Sequence, residues 1–312
     1  MTSLSYHERR QTTTLEGCPS CAAPQATWHG SRGELRLMHC VECDLIYSNP
    51  QPIARVMEQY IHEYDLAAHF AEVEERKRVL FARRLESIGP PPFQDARLCD
   101  VGCGDGLYLQ MAAATGWQPF GIEMNPPAAD AARRRGAVVF QGTAEEIEDL
   151  PWGSFDVVCS WDAIEHTPTP YEFAHRLQAL ARPDGGRVVL STLNTNSLVA
   201  RITGMRWRMI RDGHFTYWNE RSLIKLHKAV GLDVTHTGFF GLGRDLVAPL
   251  DRLRPARTGA APATGGAPGA GSSWDTRAPV LIAERAANFL LDRSKLGVGI
   301  IVQSRRGVTV AK

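Results

Sequence analysis

The chain has 312 residues, 44% of them hydrophobic, with 35 basic against 34 acidic side chains. That length supports one large domain with an appendage, and the balanced charge excludes a global field that would select nucleic acid or an anionic membrane, leaving only local patches. No run reaches the ~18 apolar residues a spanning helix needs, and the opening MTSLSYHERRQTTT lacks the apolar core of a secretory signal, so a soluble cytoplasmic protein is expected.

Residues 1–15 read as a polar, flexible tail. Next comes a short module, 16–52, in which Cys18, Cys21, Cys40 and Cys43 form C-x2-C-x18-C-x2-C around a β-ribbon carrying Leu35 and Leu37. Seven cysteines is an odd count for a disulfide framework, and this spacing is that of a four-thiolate zinc ribbon. With all four positions filled by sulfur, Zn2+ there is structural. His29 and His39 are read as ordinary ribbon residues.

SNPQP breaks the chain, and residues 53–95 read as a helical cap or connector, with Val73, Val79, Leu80 and Leu85 on one apolar face. From 96 to 312, short apolar strands alternate with helices, which predicts a Rossmann-like α/β fold: a seven-stranded, mainly parallel sheet with helices on both faces. The strands are RLCDV, PFGIE, AVVF, FDVVCS, GRVVLST, LDVTHTGFF and VGIIVQS. Between the last two, residues 252–278 are rich in Gly, Ala and Pro and read as a disordered insertion, followed by a helix over about 279–293.

The first strand runs into CDVGCGDGLYL. Gly102, Gly104 and Gly106 let backbone approach a ligand at the strand's carboxyl end. The spacing is not that of a dinucleotide turn, and no Lys-Ser/Thr follows as in a P-loop. Asp100, just before the turn, opposes a pyrophosphate and suits a ligand with positive charge, such as the sulfonium and ammonium of S-adenosylmethionine (SAM). Glu123, about 20 residues on, is placed to accept from ribose hydroxyls.

These pieces, with GIEMN, FDVVCSWDAIEHTPTP and LARPDGGRVVLST, resemble the class I SAM-dependent methyltransferases of the type-11, type-12 and type-23 groups. The likeness covers roughly residues 40–240 and the last strand. It implies a cofactor site of Asp100, Gly102, Cys103, Gly104, Gly106, Glu123 and Met124, with Trp161 flanking it or simply packing. Many relatives carry Gly-Asp-Ala after the third strand, whereas this chain has Thr143 and Ala144 there, which points to a weaker or backbone-made adenine contact.

Methyl transfer needs a positioned nucleophile and, for a hydroxyl, amine or acidic carbon, a base. Glu165, His166 and His214 are the candidates, with local capping the alternative for the first two. Asp162-x-x-Glu165-His166 also resembles the acid-x-x-Glu-His set that ubiquinone-type O-methyltransferases use for Mg2+, a lesser reading. Cys99, Cys103 and Cys159 read as buried fillers.

The ribbon junction HCVECDLIYSNPQPIARVMEQYIHEYD is similar to that of bacterial methyltransferases modifying glycans, lipids or natural products, which makes Tyr60, Tyr64 and Phe70 candidate pocket residues. The expected activity is methyl transfer to a small-molecule, glycan or lipid-linked acceptor. The alternatives are an RNA base methyltransferase whose ribbon reads RNA, and a SAM-binding scaffold without turnover. The basic-aromatic stretch MRWRMIRDGHFTYW serves as a cap over the site or meets an anionic partner.

Overall fold

A computed structural model describes residues 13–58, 60–61, 66–241, 290 and 293–307, with backbone alone for 66–73 and 76. Most of the expected tail, the 252–278 insertion and nearly all of the 279–293 helix lie outside the described residues. At the tail's end, Thr13 bridges Gln51, and Leu15 exchanges hydrogen bonds with the Asn49 side chain.

The ribbon strands are β1 (Ala26–Arg32), β2 (Leu35–Cys40) and β3 (Ile46–Ser48), followed by helices α1 (Ile53–Glu58) and α2 (Leu66–Ile88). The α/β part then runs β4 (Arg97–Val101), α3 (Leu107–Ala114), β5 (Gln118–Glu123), α4 (Pro126–Arg134), β6 (Val138–Gln141), β7 (Val157–Trp161), α5 (Pro170–Leu180) and β8 (Arg187–Leu193). It closes with α6 (Leu198–Thr203), β9 (Thr216–Tyr217), α7 (Glu220–Ala229), β10 (Leu232–Phe240) and β11 (Gly299–Arg306).

All seven expected strands join one sheet, ordered β10-β11-β8-β7-β4-β5-β6. β4 pairs in parallel with β5 and β7, and the order reverses around it, which places a ligand crevice at its carboxyl end. β11 runs antiparallel between β8 and β10. The central strands are buried on both faces, as their unbroken apolar runs require: every residue of β7 is inside.

The ribbon sheet takes a fourth strand from the other half of the chain: its order is β1-β2-β3-β9, with Ile46 opposite Tyr217 and Tyr47 opposite Thr216. Cys18, Cys40, Cys43, Leu45 and Tyr47 share one apolar core with Trp218, Leu223 and the α5 face of the main sheet. The face assigned to α2 needs one correction. Leu85 is buried, but Val79 points to solvent. A 3.6-residue repeat cannot hold 79 and 85 on one narrow stripe with 80.

Candidate active site

The Gly turn is held against β5 by Gly102 N and Cys103 N, which both donate to the Ile122 carbonyl at 2.8 and 3.1 Å. Gly102, Gly104 and Gly106 all have positive φ. They differ in purpose, however. A Cβ at Gly102 would sit 3.1 Å from Ala163 Cβ across the crevice, whereas one at Gly106 would fall 2.7 Å from Ala132 Cα. Gly106 is therefore a packing glycine that lets α3 meet α4, while Gly102 and Gly104 line the cavity.

A cavity of ≈ 600 Å³ opens over the carboxyl ends of β4, β5 and β7. Asp100, Gly102, Cys103, Gly104, Glu123, Met124, Thr143, Ala144, Trp161 and His166 all line it. Asp100 is 2% exposed; burial, opposed by the Arg84 charge, pushes its carboxyl up to about 7. Its neighbour Cys159, expected only to fill space, points its Sγ at Asp100 Oδ1 from 3.7 Å.

Glu123 is fixed by backbone. Gly104 N donates to one carboxylate oxygen and Asn125 N to the other, each at 2.8 Å, and the Tyr60 hydroxyl reaches Oε1 at 3.3 Å. Asn125 also caps α4 through Ala128 N and donates to the Tyr60 carbonyl, so one residue secures both the helix start and the Tyr60 segment. Tyr64 and the Phe70 side chain lie outside the described residues. Opposite, Thr143 donates to Glu146 Oε2 at 3.1 Å and Ala144 is buried.

β7 ends in Trp161 and then Asp162, whose φ of 55° is left-handed. Arg84 of α2 donates to Asp162 Oδ2 at 2.5 Å and stacks 4.8 Å over the Trp161 ring, and Ser191 donates to Asp162 Oδ1. Although burial acts to raise it, the Arg84 charge and hydrogen bond bring the Asp162 carboxyl below its ordinary value. Trp161 lines the cavity, and its indole N–H is buried with no hydrogen-bond partner among the described residues.

His166 is exposed within the cavity, and its Nδ1 lies 2.6 Å from the Gly213 carbonyl. That contact requires Nδ1–H, which leaves Nε2 as the lone-pair nitrogen. Desolvation is the main cause lowering its pKa, so the ring is neutral at pH 7.

The other two candidate bases are placed differently. Glu165 is buried, accepts from the Thr192 hydroxyl at 2.8 Å and does not line the cavity; burial pushes its carboxyl up to about 8. His214 is also buried away from the cavity. Its Nδ1 faces the Met209 carbonyl at 2.8 Å, and its Nε2 accepts from Arg211 Nε at 3.3 Å, so no lone pair is left for an acceptor.

The proposed Mg2+ set is not assembled, because Asp162 is held by Arg84 and Ser191. Glu165, His166 and His214 instead bring ligand atoms within 4.8 Å of one another, but the Arg211 guanidinium stands at that cluster. A cation there would face a fixed positive charge.

Reasoning from sequence missed Lys77, Phe81 and Arg84, which line the cavity from α2. Their spacing of four and three residues was a legible helical face. It also missed Arg211, for which the sequence carried no signal beyond the basic-aromatic stretch.

At the ribbon, the four sulfurs lie within 4.8 Å of one another, with Cys18–Cys43 at 3.5 Å and Cys21–Cys40 at 3.6 Å. A tetrahedral ion bound by thiolates places its sulfurs about 3.8 Å apart. The two knuckles repeat one geometry: Cys18 N donates to Ala23 O and Ala22 N to Cys18 O, and Cys40 N donates to Leu45 O and Asp44 N to Cys40 O. The residue after each second cysteine, Ala22 or Asp44, is left-handed. The four cysteines could thus hold a metal ion.

A Rossmann-like sheet with a Gly turn, a buried acid before it and a fixed carboxylate at the next strand end defines the class I SAM-dependent methyltransferases. Residues 73–237, more than half of the chain, match the type-23 methyltransferase domain, and the chain belongs to that family.

Among curated proteins it is similar to ubiquinone biosynthesis O-methyltransferases. It is 28% identical to that of Cereibacter sphaeroides over 60% of this chain and 68% of the relative. It is 37% identical to that of Alkalilimnicola ehrlichii over 32% and 42%, so this second match spans less than half of the relative.

Two solved structures share the fold at 15% identity. A SAM-dependent methyltransferase from Thermotoga maritima has a TM-score of 0.51, covering 81% of this chain and 99% of that one. The 1,6-didemethyltoxoflavin-N1-methyltransferase of Burkholderia thailandensis has 0.50, covering 90% and 100%. Among the described residues no helix is long and apolar enough to cross a membrane.

Proposed function

We propose that this methyltransferase acts on a hydroxyl of a small-molecule acceptor, with His166 as general base. The observation carrying this reading is a single cavity that holds Asp100 and Glu123 at one side and the His166 ring at another. The similarity to O-methyltransferases supports oxygen as the nucleophile.

The residues present fit SAM. Asp100 is a buried acid suited to the cofactor's positive groups, Glu123 is aimed at a ribose, and Gly102 keeps the crevice narrow. When bound, SAM supplies a methyl group already activated as a sulfonium. The protein's own work is to orient the acceptor, exclude water and take one proton. The neutral Nε2 of His166 accepts that proton as the acceptor oxygen gains its methyl, and the Gly213 carbonyl stabilises the resulting imidazolium through Nδ1–H.

The four-cysteine cluster holds a structural Zn2+, supported by the sulfur separations and the matched knuckles.

The test is transfer of radiolabelled methyl from SAM into a cell extract, with Glu123→Ala as control and separation into RNA, lipid, glycan and small-molecule fractions. Label in small molecules that depends on Glu123 is expected. Label in RNA overturns the acceptor reading in favour of a nucleic-acid substrate, and SAM binding with no label in any fraction favours a scaffold.

A further inference from the structure

Arg211 lines the cavity beside His166, from the segment that leads into β9. Its Nε donates to His214 Nε2 at 3.3 Å, and the imidazole is anchored in turn by the Met209 carbonyl at 2.8 Å from Nδ1. The His214 ring also stands edge-on against His166, with centroids 4.7 Å apart. A guanidinium has five donors. This contact uses one and sets the plane of the group, and the two terminal amino ends remain.

The charge around it is uneven. Arg84, the other guanidinium lining the cavity, pairs with Asp162 and stacks on Trp161. The neighbouring Asp212 pairs with Arg55 of α1. No carboxylate among the described residues lies within 4.0 Å of Arg211, neither Asp212 nor Glu58, which lines the same cavity. A cation oriented by a buried histidine, with no carboxylate of the described residues in ion-pair contact with it, is a site for an anion brought from outside.

Its position assigns that anion to the acceptor. The ribose carboxylate lies on β5, on one side of β4, and Thr143 and Ala144 follow β6 beyond it. His166 follows β7, on the other side of β4, and Arg211 reaches the same end of the cavity from the segment between α6 and β9, where α1 adds Ile53, Val56 and Met57 as an apolar wall.

We propose that Arg211 is a specificity-determining residue that binds an anionic group, carboxylate or phosphate, on an acceptor with an apolar body. His214 is the positioning residue that holds it. The inference rests on the reading of this cavity as a methyl-transfer site.

The experiment is calorimetric titration of the full-length protein, loaded with S-adenosylhomocysteine, with benzoate, phenyl phosphate and the neutral benzamide. Benzoate or phenyl phosphate is expected to bind about 10- to 100-fold tighter than benzamide, the range for a charge-assisted contact. The better of the two identifies the anion.

Arg211→Gln is expected to abolish the preference and Arg211→Lys to keep part of it. His214→Gln is expected to reduce it while leaving benzamide binding unchanged, which a merely structural defect would not do. Equal binding of charged and neutral probes, or a preference that survives Arg211→Gln, overturns the proposal. So does loss of S-adenosylhomocysteine binding in Arg211→Gln, which would place the guanidinium on the cofactor's carboxylate. If wild-type protein binds no S-adenosylhomocysteine, the methyl-transfer reading fails instead, and the same titration of unloaded protein still decides whether the anion site exists.

Discussion

Asn219 caps helix α7 through its Oδ1, which accepts from Ser222 N at 2.9 Å, while its Nδ2 donates to the backbone carbonyl and the carboxylate of Asp44 at 3.1 and 2.9 Å. Asp44 is the residue immediately after Cys43. One side chain thus ties a cysteine knuckle to the helix that follows the active-site segment 211–217. From there the path to the site is short: Ser48 N donates to Phe215 O, and Phe215 N to Glu165 O, next to His166.

Asn219→Ala removes a cap and the Asp44 link, and is expected to cost about 1–2 kcal/mol. Asn219→Asp keeps a good capping oxygen but sets a second carboxylate against Asp44, so it should also destabilise. Urea unfolding measures both. Full stability in Asn219→Asp would show that the cap alone matters.

Stripping any metal held by the four cysteines is expected to loosen the β3–β9 pairing and, through it, the Gly213 carbonyl that orients His166. Elemental analysis should find about one zinc per chain, the count a four-thiolate site takes. After chelation, hydrogen exchange at 211–217 should speed up more than exchange in β4 or β7. Unchanged exchange in that segment would separate the ribbon from the site.

Asp100 titrates near 7 in the unliganded protein because it is buried. A bound cation favours its ionised form, so binding SAM below pH 7 must expel a proton. SAM affinity should therefore rise with pH up to about 7, by up to ~10-fold per unit, and level off above. Asp100→Asn should bind weakly and without this slope, and a flat wild-type profile measured by calorimetry would remove Asp100 from the cofactor.

His166→Ala is expected to lower kcat about 10²- to 10⁴-fold with SAM binding intact. Because desolvation lowers the pKa of His166, the ring stays neutral at and above its ordinary value of 6.5. With SAM saturating, the acid limb of kcat/KM for the acceptor should accordingly fall only below pH 6.5, and a limb above 7 would point to another base.

Gly106→Ala forces a Cβ into Ala132 at a left-handed position and should destabilise by about 1–3 kcal/mol. Cofactor affinity of the folded fraction should be unchanged, and a selective loss of SAM binding at full thermal stability would return Gly106 to the ligand site.

Much of this protein was legible in the sequence because its signals are local. Strands buried on both faces read as apolar runs, the Gly turn and Asp100 are contiguous, and the four cysteines announce themselves by spacing. Thr216 and Tyr217 were not readable as a strand, since two residues carry no period and become β9 only because β3 offers them an edge.

The same limit separates His166 from His214 and Glu165. Nothing in residue type distinguishes a histidine whose Nε2 is left on a cavity wall from one whose Nε2 accepts from an arginine. Asp162 and Arg84 likewise stand 78 positions apart, and only the fold pairs them. The sequence by itself determined the fold class, the cofactor turn and the cysteine cluster, because propensity and spacing act over a few residues. Tertiary structure decided which polar groups face the cavity and which neutralise one another, because charge and hydrogen bonding act through space between segments remote along the chain.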